Sequence, residues 1–97
     1  MNLGLKERVA LVGGSSKGMG KATAIALAQE GAFITICSRT ESELRQAEID
    51  IARSASQQHV LAITADLSVP GNIKRVIRDT INRFERIDIV VNNIGGP

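Results

Sequence analysis

Gly14, Gly18 and Gly20 stand between the apolar run Val9-Ala10-Leu11-Val12 and an alanine-rich segment over residues 21–30. Glycine carries no Cβ, so a turn built from it lets backbone N–H groups approach an anion, and a following helix directs its positive end there. Phosphate binding is the chemistry this spacing suggests. The spacing is not G-x-G-x-x-G, because reading from Gly18 puts Thr23 where the third glycine falls. Nor is it a Walker A loop, since Gly20-Lys21 is followed by Ala22 rather than Ser or Thr. Taken alone, the turn also fits a glycine-rich connection without a ligand.

Other reactive side chains are few. Cys37 lies in the run Phe33-Ile34-Thr35-Ile36-Cys37, where a buried and inert thiol is expected, and as the one cysteine it excludes an internal disulfide. His59 has no second His or Cys at ligand spacing, which argues against a metal site, and is read as the start of a strand. Glu41, Glu43, Asp79 and Glu85 read as surface charges on helices.

The elements that would position these residues alternate. Short apolar runs at 9–12, 33–37, 60–64 and 87–91 are separated by longer segments of helical period, the pattern of a parallel sheet covered by helices. Each run is almost wholly apolar, as strands buried on both faces are. The first helix is expected over 18–30, with Gly31 as its stop. The second opens on a capping box, Thr40-Glu41-Ser42-Glu43, and carries Leu44, Ala47, Ile51 and Ala55 on one stripe. The third follows Ser68-Val69-Pro70 with Ser68 as N-cap, and aligns Ile73, Val76, Ile77, Thr80, Ile81 and Phe84. Right-handed crossovers favour the doubly wound strand order 3-2-1-4, with helices on both faces. Ligands bind outside the carboxyl ends of strands where such an order reverses, which is where residues 13–20 and 92–96 meet.

Ninety-seven residues form one small domain with limited core. A net charge of +2 with scattered basic residues does not indicate a nucleic-acid partner, and no apolar run is long enough to span a bilayer. Met1-Asn2-Leu3-Gly4-Leu5-Lys6 lacks the apolar core of a signal peptide, so a cytoplasmic location is expected.

Three ordered segments carry a resemblance. Gly14-Ser15-Ser16-Lys17-Gly18-Met19-Gly20 resembles the TGxxxGxG turn of the short-chain dehydrogenase/reductase family; Asp66-Leu67 follows the third strand, and Asn92-Asn93-Ile94-Gly95 resembles that family's NNAG segment. The chain departs from the pattern at Gly13, where threonine is usual and its hydroxyl would brace the turn against the fourth strand, and at Ile94, where alanine is usual. The resemblance implies a Rossmann-type domain over residues 1–97, similar to the amino-terminal portion of 3-oxoacyl-carrier-protein reductases. It implies a pyrophosphate seat at Gly14, Ser16, Gly18, Met19 and Gly20, with Ser15 and Lys17 of the same turn also among the cofactor-binding residues. Asp66 would meet the adenine amino group and Leu67 would donate a backbone contact; the alternative for Asp66 is a cap on the third helix. Asn93 would lie beneath the cofactor at the end of the fourth strand, and Gly95 is counted among the cofactor-binding residues.

Cofactor choice follows from the end of the second strand. An NAD enzyme places a carboxylate about 20 residues past the glycines to hold the ribose hydroxyls, whereas this chain reads Cys37-Ser38-Arg39-Thr40. Arg39 just ahead of a helix start is disfavoured by the dipole unless an anion neutralises it. A 2′-phosphate contacted by Ser38 and Arg39, with Lys17 approaching from the turn, supplies that anion, so NADP(H) is favoured over NAD(H).

The family's acid-base group is the tyrosine of a Tyr-x-x-x-Lys motif, and this sequence has no tyrosine. No catalytic residue is therefore assigned, and the chain alone is expected to be inactive: the cofactor-binding part of an oxidoreductase acting on a carbonyl or alcohol, cut after its fourth strand. That cut exposes an apolar edge, so a homo-oligomer is expected. The rival reading is a non-catalytic nucleotide-binding or self-associating module.

Overall fold

The run from Val9 has no polar side chain to hold it at the surface, and it forms the strand β1 (Val9–Gly13), buried at every position. The computed structural model describes residues 7–14, 18–55 and 59–92. In chain order β1 is followed by α1 (Gly18–Gln29), β2 (Phe33–Ser38), α2 (Glu41–Ser54), β3 (Val60–Thr64), α3 (Asn72–Phe84) and β4 (Ile89–Asn92). The strands pair in parallel in the order β3-β2-β1-β4, the doubly wound arrangement expected from the sequence.

Side-chain alternation along the strands divides the core in two. Ala10, Val12, Ile34 and Ile36 face Ala24 and Ala28 of α1 and Leu44, Ala47 and Ile51 of α2. Leu11, Cys37, Ile63 and Ala65 face Val76 of α3 on the opposite side. The alanines let α1 lie close to the sheet, and a Lys21–Asp50 ion pair, with Gln46 also bonded to Asp50, ties α1 to α2. Gly31 ends α1 as expected: its φ is 93°, and the Ala32 N–H reaches the Leu27 carbonyl at 3.1 Å.

Several boundaries differ from the sequence-based expectation. Ser68 is not the N-cap of α3. Its N–H and hydroxyl both donate to Asp66 Oδ1, at 2.9 and 2.6 Å, so its capping capacity is used in a turn of Asp66. The helix instead starts behind Gly71, whose φ of 94° turns the chain after Pro70. Thr40 is the N-cap of α2, but its side chain makes no capping hydrogen bond. His59 precedes β3, its carbonyl accepting the Ile34 N–H and its ring lying 4.3 Å from that of Phe33.

The fourth strand begins at Ile89 rather than residue 87, because Asp88 is occupied in closing the sheet's amino end. Its N–H donates to the Val9 carbonyl at 2.8 Å, and its carboxylate accepts the Val9 N–H at 2.9 Å and Arg86 at 2.6 Å. The Val9 N–H, then Arg86, hold the Asp88 carboxyl below its usual range.

Burial is also less uniform than the apolar runs imply. β1 and β2 are sheltered on both faces, but β3 and β4 are outer strands and only partly covered. α3 packs across β1, β2 and β3 through Val76 and Thr80, and leaves Ile73, Ile77 and Ile81 exposed along its flank. Val90, paired with Leu11 and therefore on the same side of the sheet as α3, is 64% exposed. Among the described residues no helix is long and apolar enough to cross a membrane.

Candidate functional site

Parallel register brings the carboxyl ends of the strands to one edge of the molecule. Gly13 lies opposite Asn92 on one side and Cys37 on the other, and Ser38 lies opposite Thr64. The residues just beyond these strand ends, Gly14, Arg39, Asp66 and Leu67, therefore gather at that edge. Ser15, Ser16, Lys17, Asn93 and Gly95 lie outside the described residues.

Around the glycine turn, backbone geometry explains two of the glycines. Gly14 and Gly18 have φ of 66° and 65°, a region costly for residues with a Cβ. At Gly18 an added Cβ would meet nothing within 4 Å, so the backbone angle and not crowding calls for glycine there. Gly20 is buried against the core while Met19 is 76% exposed. The first turn of α1 carries no acidic residue, in contrast to α2, which opens with Glu41 and Glu43. The amino end of α1 thus presents N–H groups and a positive dipole uncompensated by a carboxylate of its own first turn, a setting that fits a phosphate group.

At the end of β2 the hydroxyl oxygen of Ser38 accepts the Thr40 N–H at 3.3 Å, which leaves its hydrogen to donate elsewhere. The Ser38 carbonyl accepts the Ala65 N–H at 2.9 Å, linking the ends of β2 and β3. Arg39 is exposed and precedes the N-cap of α2. Across the same edge, the Ser68 hydroxyl and N–H hold the Asp66 carboxyl below its ordinary range, with the charge of Arg39 adding to the effect.

Asp66 is an ionised acceptor held by its own turn rather than a cap on α3. The amide of Asn72, a residue whose type and position alone signal no role here, donates to the Asp66 carbonyl at 2.9 Å and fixes this turn to α3. The order Asp-Leu-Ser at a strand end is the signal for such a turn. Cys37 is buried as expected, and burial pushes its thiol up, away from a reactive thiolate. Among the described residues no group of three or more His, Cys, Asp or Glu side chains could hold a metal ion.

The glycine turn, the strand order and the Asp66 turn occur together in a sequence whose residues 8–97 match the model of the short chain dehydrogenases. The chain belongs to that family. It is 40% identical over 93 residues to (2S)-[(R)-hydroxy(phenyl)methyl]succinyl-CoA dehydrogenase subunit BbsD of Thauera aromatica, covering 96% of this chain and 37% of that protein. L-sorbose reductase from Gluconobacter frateurii, solved with NADPH and L-sorbose, superposes with a TM-score of 0.92 at 32% identity, over 99% of this chain and 36% of the reductase. A xylitol dehydrogenase solved with NAD+ superposes with a TM-score of 0.87 at 25% identity, over 95% of this chain and 35% of its own. This short chain dehydrogenase sequence thus spans a little over a third of these relatives, and both nicotinamide cofactors occur among them.

Proposed function

We propose that residues 1–97 form the NADP(H)-binding portion of a short-chain oxidoreductase that transfers a hydride between the cofactor and a carbonyl or alcohol. The observation that carries the reading is the pairing of Ser38 and Arg39 at the end of β2, where no carboxylate is available for the ribose hydroxyls. The Ser38 hydroxyl and the Arg39 guanidinium donate to a 2′-phosphate, with Lys17 as a second cation. Gly14, Ser15, Ser16, Gly18, Met19 and Gly20 receive the pyrophosphate through backbone N–H groups at the start of α1. Asp66 uses Oδ1 within its own turn, so Oδ2 accepts the adenine amino group while the Leu67 N–H donates to the ring. Asn93 and Gly95 support the cofactor from below.

The nicotinamide, when bound, supplies or accepts the hydride. The acid-base tyrosine of the family is not among these residues, so their part is to hold and orient the cofactor. Calorimetric titration of the chain with NADPH and with NADH tests the reading. NADPH is expected to bind at least about tenfold more tightly, the difference made by one charge-assisted contact to the 2′-phosphate. Equal affinities would leave only the family assignment standing.

Self-association belongs to the same reading. Ile73, Ile77 and Ile81 on α3 and Val90 on β4 leave apolar side chains exposed on one side of the sheet. Light scattering is expected to return a mass above the 10.3 kDa of a single chain. A monodisperse monomer would remove this part of the proposal.

A further inference from the structure

Gly13 differs from Gly14 and Gly18 in the reason for its presence. Gly14 and Gly18 have left-handed φ angles, whereas Gly13 has none and its backbone is open to any residue. What it lacks is space. A Cβ built on Gly13 would stand 2.9 Å from Leu67 Cδ1, closer than real Cβ contacts, and 3.8 Å from both Asn92 Oδ1 and the Val91 carbonyl oxygen. The Leu67 side chain occupies the volume that a side chain at residue 13 would fill.

This contact has a consequence for the adenine end of the site. The turn after β3 is held from the α3 side by the Asn72 amide on the Asp66 carbonyl, and internally by Ser68 on the Asp66 carboxylate. Leu67, lying between those anchors, packs into the α3-side core with Leu11 and Val76 and rests on the end of β1 at Gly13. We infer that Gly13 is a positioning residue: by leaving room for Leu67, it sets how far the Asp66-Leu67 turn sits in towards the glycine turn, and so the depth of the adenine subsite. The inference rests on the cofactor reading given above.

A side chain at 13 displaces Leu67 at its flexible end, so the expected cost falls on binding more than on folding. In Gly13→Ala, affinity for 5′-AMP measured by calorimetry is expected to drop by about threefold or more, within the range of coupling seen between residues in contact. Adding Leu67→Val removes the Cδ1 atom that the new methyl meets, and is expected to return 5′-AMP affinity towards that of the unaltered chain. Thermal unfolding of each variant checks that the fold is retained. Restoration by a smaller residue at 67 is not expected from a general loss of structure. Unchanged 5′-AMP affinity in Gly13→Ala, or a double variant as weak as the single one, overturns the inference while leaving the cofactor reading intact. If the unaltered chain binds neither 5′-AMP nor NADPH, the cofactor reading falls and this inference falls with it.

Discussion

Arg39→Ala is expected to weaken NADPH binding by about 10- to 100-fold while changing NADH binding by less than about twofold. A charge-assisted hydrogen bond contributes about 1.5–3 kcal/mol, and each 1.4 kcal/mol corresponds to about tenfold in affinity. Only NADPH carries the 2′-phosphate that Arg39 meets in the proposed site, so the loss should be selective. Arg39 is exposed and precedes the first turn of α2, so its removal takes little from the core. The melting temperature is expected to stay nearly constant, as for surface substitutions away from special features. Arg39→Lys keeps the charge and loses the planar fork, and an intermediate NADPH affinity follows. Equal losses for both cofactors would show that Arg39 supports the loop and does not read the phosphate.

The strand order was legible because β1 and β2 are central, so their sequences are apolar at nearly every position and the segments between them are long enough for crossover helices. Gly31 was legible for a local reason: a helix stop in the left-handed region favours glycine. The start of α3 was not. Ser68 has the chemistry of an N-cap, but Asp66 stands two residues before it and takes both its donors, a competition between two local hydrogen-bonding options that residue type does not decide. The isoleucines of α3 form a regular stripe in the sequence, yet only Val76 and Thr80 are buried, because periodicity defines a face and not what covers it. The departure at Gly13 was visible as a missing threonine hydroxyl. That Leu67 fills the vacated volume was not legible, since nothing in the spacing from 13 to 67 brings the two together.

Ile36→Ala tests whether the site depends on the core beneath it. Ile36 is fully buried in β2, pairs with Val12 and Ala62, and joins the cluster closed by Leu44, Ala47 and Ile51 of α2. Truncating such a side chain costs about 2–5 kcal/mol, through lost transfer energy and the cavity left behind. Domains have only about 5–15 kcal/mol in total, and a chain of this size sits towards the lower end. Thermal unfolding of Ile36→Ala is therefore expected to shift strongly downward, with part of the population unfolded at physiological temperature. The effect on ligands should differ in kind from that of Arg39→Ala. Ile36 lies two residues before Ser38 and supports α2 as well as the strand, so NADPH and NADH affinities should fall together, and both should recover on cooling to where the variant is folded. If the melting temperature is unchanged, the packing of α2 on β2 is not what holds this edge of the sheet. If the variant is stable but selectively loses NADPH, Ile36 acts on the phosphate-reading loop directly and core and site are not separable at this position.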